Sequence, residues 1–192
     1  MMIDVQRYGA WQDMSGVTAR SYQRMTLNAD DLARFWRRCS LSSDFWSRYS
    51  ALFVPVTVPP GQLNRAALES VLAYLLNELF ENCAKFGGGP MGSVRYQAWM
   101  LANSMTFQLS NQIAPVQQAP FIRFIRELLE NDPDELYFRR LEENVEMNAK
   151  GSGLGYLTLI KDYGIRFGFQ FSAIIDQSVA VEVQAHVSMK EL

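Results

Sequence analysis

The chain has 192 residues, of which 48% are hydrophobic and 20% are charged, so the composition predicts a packed domain rather than a disordered or fibrous chain. The 18 Lys and Arg against 20 Asp and Glu give a formal net charge of -2, which argues against nucleic acid as a partner. No apolar run approaches the roughly 20 residues of a membrane span, and Asp4 and Arg7 stand where a secretory signal is apolar. We therefore expect no membrane insertion and a cytoplasmic protein.

Cysteine and histidine are sparse. Cys39 and Cys83 form no Cys-x-x-Cys pair, which predicts two reduced thiols. His186 is the single histidine, so a His-rich metal site lacks ligands and a Ser-His-Asp triad has one candidate base. Neither chemistry is favoured.

Residues 1–53 are predicted to form an N-terminal helical segment packed on the main domain. Residues 28–38 begin with capping and acidic residues and end in arginines, an arrangement that complements the helix dipole, and residues 42–53 are also helix-like. The aromatic residues here suit a core, which is the more common place for aromatics, or a partner or dimer surface. They are Phe35, Trp36, Phe45, Trp46 and Tyr49.

The main domain is predicted to span residues 54–192. Alternating valines at its start resemble a strand that Pro59 and Pro60 break. From Gln62 to Phe86, apolar residues recur at helical spacing until a glycine run stops the helix. Two aromatic-rich runs around Ala102 then predict an antiparallel hairpin.

After a predicted loop at residues 112–120, helices alternate with a second hairpin. The amphipathic helices are predicted at residues 120–131, 134–149 and 154–163, and the hairpin strands at residues 165–174 and 178–187. The sequence therefore predicts an α/β two-layer sandwich, with a mixed, mainly antiparallel sheet and helices on one face.

A glycine cluster lies just before the last of these helices. Gly151, Gly153 and Gly155 open the helix, and unpaired NH groups at a helix start attract phosphate. Such a turn also occurs by chance. No Gly-Lys-Ser/Thr follows it, and Tyr156 stands where a dinucleotide fingerprint needs glycine, so neither a P-loop nor a Rossmann site is supported.

The long helix carries three different polar side chains on one face. Glu78, Asn82 and Lys85 are four and then three residues apart, which brings them together on a helix. Taken alone, this stripe is best explained as a solvated face. Its combination with the glycine cluster is more informative.

Together the two motifs resemble those of the GHKL (Bergerat-fold) ATPases and histidine kinases. NELFENCAKF, residues 77–86, resembles the N-box, and GSGLGYLTLIKDYG, residues 151–164, resembles the second glycine box with its following helix. The order of N-box helix, hairpin, variable lid, glycine box, helix and final hairpin also agrees. The resemblance covers about Val54 to Val187.

The resemblance implies a histidine-kinase-like ATPase fold that binds ATP and Mg²⁺. By motif match, Glu78 is the catalytic base or polariser, Asn82 is the Mg²⁺ ligand, and Lys85 meets phosphate oxygens. The phosphates would be wrapped by backbone amides of the glycine box, namely those of Gly151, Gly153, Leu154 and Gly155.

One departure concerns the first glycine box, an Asp-x-Gly-x-Gly whose Asp reads the adenine amino group in the family. Here Asn111 stands at the Asp position and Ile113 at a glycine position. The carbonyl of Asn111 can still accept a hydrogen bond from adenine, while the alternative is that Asn111 caps a turn.

Sensor kinases carry a phosphoacceptor histidine on a helical domain, whereas His186 lies in a strand-like run, so we do not expect it to have that role. The chain resembles the small stand-alone kinases of bacterial partner-switching systems, either the anti-sigma serine kinases or the SiaB family. This implies an ATP-dependent Ser/Thr protein kinase that phosphorylates a STAS-like protein partner. The alternative is a non-catalytic GHKL-fold interaction module that sequesters a partner, and a homodimer is left open.

Overall fold

A computed structural model of the chain describes residues 5–29, 36–54, 64–86, 92–146, 153–173 and 178–189. These residues form six strands and five helices. The strands are β1 (Val5–Gly9), β2 (Ser21–Asn28), β3 (Ser93–Met100), β4 (Ser104–Ile113), β5 (Arg166–Ala173) and β6 (Val179–Ser188). The helices are α1 (Trp36–Ala51), α2 (Arg65–Phe86), α3 (Pro115–Glu130), α4 (Pro133–Glu146) and α5 (Leu154–Tyr163).

The six strands form one open sheet in the order β1-β5-β6-β4-β3-β2. Every pairing among them is antiparallel, so these described strands give an α/β fold whose sheet is not mixed. The chain passes from β1 at one edge to β2 at the other across one face of the sheet. On the way, Gln12 exchanges hydrogen bonds with the Gln184 side chain of β6, and the Arg20 amide bonds Met100 of β3.

The main core lies between α2 and the opposite face of the sheet. Side chains alternate across a strand, so every second residue of β4 and β6 faces this core. Buried in it are Phe107 and Leu109 of β4 and Val181 of β6, which pack in one cluster with the apolar stripe of α2. The helical spacing read from the sequence of α2 thus becomes its buried face.

The N-terminal segment differs from the helical prediction. The structure places β1 and β2 there, as the two edge strands of the sheet, before α1 begins. Their side chains are mostly half-buried or exposed. Few side chains of an edge strand are buried, so its sequence alternates only weakly between hydrophobic and polar residues. The sequence of residues 5–28 therefore does not indicate β1 and β2.

Several predicted elements are confirmed. The hairpins β3–β4 and β5–β6, the long helix α2, and α5 with Gly164 as its left-handed cap all occur where the sequence indicated. The loop prediction for residues 112–120 is wrong, because β4 continues to Ile113 and α3 begins at Pro115. Proline is favoured at the first helical position, where no NH bond is lost. Residues 55–60, with most of the valine strand, lie outside the described part.

The aromatic residues of α1 divide between core and surface. Trp46 stacks on the buried Tyr96 ring with centroids 4.9 Å apart, as the core interpretation expects. Phe45 is 58% exposed and Tyr49 is also exposed. Phe35 and the Trp36 side chain lie outside the described residues.

Cys39 and Cys83 are both buried thiols that are not joined in a disulfide, as predicted. Burial raises the pKa of the Cys83 thiol to about 12, so it is protonated at neutral pH. Among the helices described, none has both the length and the apolar character needed to cross a bilayer.

Candidate functional site

A cavity of about 490 Å³ lies over β4 and β6, with walls from α2, α3, α4 and the start of α5. Most of its lining is apolar. The apolar and aromatic residues that line it are Leu79, Cys83, Phe86, Leu109, Ile113, Val116, Pro120, Phe121, Phe124, Tyr156, Val181 and Val183. An apolar pocket with a few convergent polar groups is the usual form of a small-ligand site.

The three polar residues predicted on α2 all line this cavity. Glu78 and Asn82 are partly buried, whereas the Lys85 side chain is 60% exposed and pairs with Glu81 at 3.6 Å. The shared face of the helix is therefore turned toward the cavity rather than simply solvated. The simpler solvated-face interpretation does not describe Glu78 or Asn82.

The environment of Glu78 makes its carboxyl more basic. Burial raises the pKa of Glu78 above its usual value, the negative charge of Glu81 raises it further, and Lys85 opposes the shift. A carboxylate with a raised pKa is a better proton acceptor than a solvated one. This property suits the base role that the motif match gives to Glu78.

The Asn82 side chain lies beside the buried hydroxyl of Tyr156. Burial raises the pKa of the Tyr156 hydroxyl, and a hydrogen bond with the Asn82 side chain opposes the shift. The Asn82 carboxamide is thereby tied to the first turn of α5. This contact joins α2 to the first turn of α5.

The glycine box has two described glycines with different roles. Gly153 lines the cavity at the N-cap of α5 with φ +94°, and a Cβ there would lie 2.6 Å from the Phe124 ring. Gly155 is buried, and a Cβ there would overlap the Glu78 carboxylate. Leu154 lies between them as the first residue of α5, and Gly151 is outside the described residues.

Asn111 lies in the floor of the cavity. It is on the core-facing side of β4, where its neighbours Leu109 and Ile113 and its cross-strand partner Val181 are all apolar. Asn111 is only 8% exposed, so its carboxamide is a polar group set in an apolar floor. Because Asn111 is inside a strand and paired with Val181, the turn-cap interpretation is wrong.

Other cavity residues were not predicted as site residues. Phe121 and Phe124, three residues apart on α3, form an apolar wall, and the amphipathic spacing of that helix indicated a covered face without indicating what it covers. Arg140 of α4 also lines the cavity. It belongs to no motif, and only the packing of α4 brings it there.

The oxygen donors in the cavity suit a Mg²⁺ ion shared between the protein and substrate phosphates better than one held by protein ligands alone. Across the described ranges, no three His, Cys, Asp or Glu residues are grouped to hold a metal ion. Mg²⁺ commonly takes one or two protein oxygens and completes its shell with water and substrate phosphates. The side-chain oxygen of Asn82, one helical turn from Glu78, is a donor of that kind.

Comparison of the sequence with protein-family models finds no match. Comparison with curated proteins finds none either.

Proposed function

We propose that the cavity binds ATP with Mg²⁺, and that the protein is an ATP-dependent Ser/Thr protein kinase of a bacterial partner-switching system acting on a STAS-like protein. The observation that carries the nucleotide proposal is the Asn111 carboxamide, which lies in an otherwise apolar cavity floor. The kinase and partner assignments are supported by the motif resemblance.

A carboxamide on an apolar floor loses part of its hydration, so a polar side chain there needs a hydrogen-bond partner to offset that cost. A carboxamide offers one acceptor and two N–H donors. The Watson–Crick edge of adenine offers a complementary pair, an amino donor beside a ring-nitrogen acceptor. A planar base bound over Leu109 and Val183, near the Phe121 ring, would satisfy Asn111 and bury its own apolar faces.

Phosphate groups would lie toward the α2–α5 side of the cavity. The free amides at the start of α5 and the helix dipole favour an anion beside Gly153. Lys85 supplies a mobile positive charge on the same wall. Asn82 would hold the Mg²⁺, which neutralises phosphate charge when bound.

In the proposed reaction, a Ser or Thr hydroxyl oxygen of the partner attacks the γ-phosphorus, the bond to the β-phosphate oxygen breaks, and ADP leaves. The Glu78 carboxylate takes the hydroxyl proton. The raised pKa of Glu78 suits this role, because efficient proton acceptors have pKa values nearer the working pH. The remainder of the catalysis is positioning and charge neutralisation.

The second candidate is a non-catalytic interaction module that keeps the fold and sequesters a partner. It is favoured by Ile113, a buried side chain that lines the cavity where the family has a glycine beside the base. A branched side chain there narrows the approach of a ligand to the β4 backbone.

Calorimetric titration of the full chain with MgATP tests the nucleotide proposal. Saturable heat and a raised melting temperature are expected. Absence of both at millimolar MgATP would contradict it and favour the interaction module.

If ATP binds, the kinase step is tested by mass spectrometry of STAS-domain proteins from the same organism after incubation with MgATP. Phosphorylation on Ser or Thr is expected, and binding without any transfer would contradict the kinase assignment.

A further inference from the structure

The cavity has two cationic side chains among its described lining residues, and they differ in setting. Lys85 has a largely exposed side chain, whereas the Arg140 side chain is 27% exposed. The Lys85 ammonium is hydrated and lies on a flexible side chain, so it attracts an anion without fixing the position of that anion. A half-buried guanidinium presents directed donors, and it is the better matched of the two to phosphate oxygens.

Two carboxylates hold the Arg140 guanidinium in place. One Nη donates to Glu127 of α3, and the other donates to Glu143 one turn along α4 at 3.3 Å. The second oxygen of Glu127 accepts from Arg139 at 3.0 Å. Arg140 is therefore oriented by α3 and α4 together before any ligand arrives, which lowers the entropy lost on binding.

The carboxylates around Arg140 balance its charge without using all of its N–H donors. Arg139 and Arg140 face Glu127 and Glu143, so two positive charges share two negative ones. A guanidinium has five N–H donors, and the carboxylates of Glu127 and Glu143 take only two of them. The remaining donors are available to a ligand in the cavity that Arg140 lines.

We infer that Arg140 is an anion-binding residue of the cavity, which donates hydrogen bonds to phosphate oxygens of a bound nucleotide. The inference rests on the proposed function for the identity of the ligand as a nucleoside polyphosphate. It adds a cation from α4 to the phosphate contacts of α2 and α5. The packed pair α3–α4 is thus part of the phosphate site as well as a wall of the cavity.

Arg139 provides a matched control for Arg140. Both arginines bond Glu127, but Arg139 is not part of the cavity lining and its side chain is 48% exposed. Arg140→Gln and Arg139→Gln each remove one positive charge and one Glu127 contact, and Arg140→Gln also removes the Glu143 contact within α4. A difference between them reports on the cavity rather than on the α3–α4 ion pairs.

The experiment is calorimetric titration of the full chain and both variants with adenosine, MgATP and inorganic triphosphate. Arg140→Gln is expected to weaken MgATP and triphosphate binding about tenfold or more and to leave adenosine binding unchanged, since one charge-assisted contact is lost. Arg139→Gln is expected to bind all three ligands like the parent. Circular dichroism and melting temperature check that both variants fold.

Other outcomes separate this inference from the proposed function. If the parent binds MgATP and Arg140→Gln binds it equally well, or if both variants weaken it equally, the Arg140 inference is wrong and the nucleotide proposal stands. If the parent binds triphosphate through Arg140 but binds no adenine ligand, the nucleotide proposal is wrong and Arg140 stands as an anion-binding residue. If the parent binds none of the three ligands, both are wrong.

Discussion

Gly155 packs directly against the carboxylate of Glu78, closely enough that a Cβ on residue 155 would overlap both oxygens and the carboxyl carbon. Residue 155 lies in the first turn of α5, and residue 78 lies in the middle of α2. Residues 78 and 155, one from each motif, are 77 positions apart in the sequence. Their close contact is possible because residue 155 has no side chain. The glycine gives the Glu78 carboxylate its place beside the cavity.

Gly155→Ala is expected to displace the Glu78 carboxylate and to lower the free energy of unfolding by about 1–3 kcal/mol, the usual cost of overpacking. Urea denaturation measures this cost. In a double-mutant cycle, Glu78→Ala should remove most of the penalty because the overlapping atoms are gone. If the effects of the two substitutions are additive, the cost of Gly155→Ala does not come from overlap with the Glu78 side chain.

Gly153→Ala is expected to reduce ATP affinity about tenfold or more. Its φ of +94° disfavours any side chain, and a Cβ would press on Phe124 in the cavity wall. The change should lower the free energy of unfolding by about 1–2 kcal/mol. Calorimetry and urea denaturation measure the two effects.

Gly164→Ala is the control for Gly153→Ala. Gly164 also has a positive φ, +60°, but a Cβ there meets no atom within 4 Å. Gly164→Ala should lower the free energy of unfolding by about 1 kcal/mol, because alanine disfavours a positive φ, and it should leave ATP affinity unchanged. If both variants lose affinity to the same extent, the effect of Gly153→Ala comes from general destabilisation.

The fold was predictable from sequence wherever burial is strong. The apolar stripe of α2 and the aromatic runs of β3 and β4 produce clear periodicities because one face of each is covered. β1 and β2 were not found, since edge strands expose most of their side chains and pair through the backbone. Their pairing depends on distant strands, which no local window contains.

The site was predictable only where motifs mark it. The described residues of the two sequence motifs, on α2 and at the start of α5, meet around one cavity, and Asn111 lies in its floor. Arg140 and Phe121 come from the segment between the motifs. Their role is set by how α3 and α4 pack, and a single sequence carries no signal for that packing.

Asn111→Leu is expected to stabilise the protein while it impairs base recognition. It replaces an amide in an apolar floor by an apolar side chain, which should raise the free energy of unfolding by about 1 kcal/mol. The variant should bind ATP about tenfold or more weakly and lose its preference for ATP over GTP. Gln112→Leu, on the exposed side of β4, is the control and should change neither the affinity for ATP nor the affinity for GTP. Unchanged discrimination in Asn111→Leu would place base recognition elsewhere.

The stability of the protein should depend on pH through Glu78. The raised pKa means that the folded state holds the Glu78 proton more tightly than the unfolded chain, whose ordinary value is 4.5. Below pH 4.5 both states are protonated and there is no penalty. As pH rises through the raised pKa, folding must bury a carboxylate charge and stability falls.

Glu78→Gln removes this titration. The difference in free energy of unfolding between Glu78→Gln and the parent should therefore grow in favour of the variant as pH rises above 4.5, and then level off. Urea denaturation from pH 4 to pH 8 measures it. Because both proteins share every other titrating group, a difference that stays constant across this range would contradict the shifted Glu78.

The final prediction separates ligand binding from chemistry, because Glu78 and Asn82 share a helix face but have different proposed roles. Asn82→Ala removes the metal ligand and should weaken MgATP binding as well as phosphoryl transfer. Glu78→Gln keeps the size of the side chain but removes the proton acceptor, so MgATP should still bind while transfer slows about a hundredfold to ten-thousandfold. Calorimetry measures binding, and radiolabelled transfer to a STAS-domain substrate measures the rate. Transfer by Glu78→Gln at the parental rate would show that Glu78 lines the cavity without acting as its base.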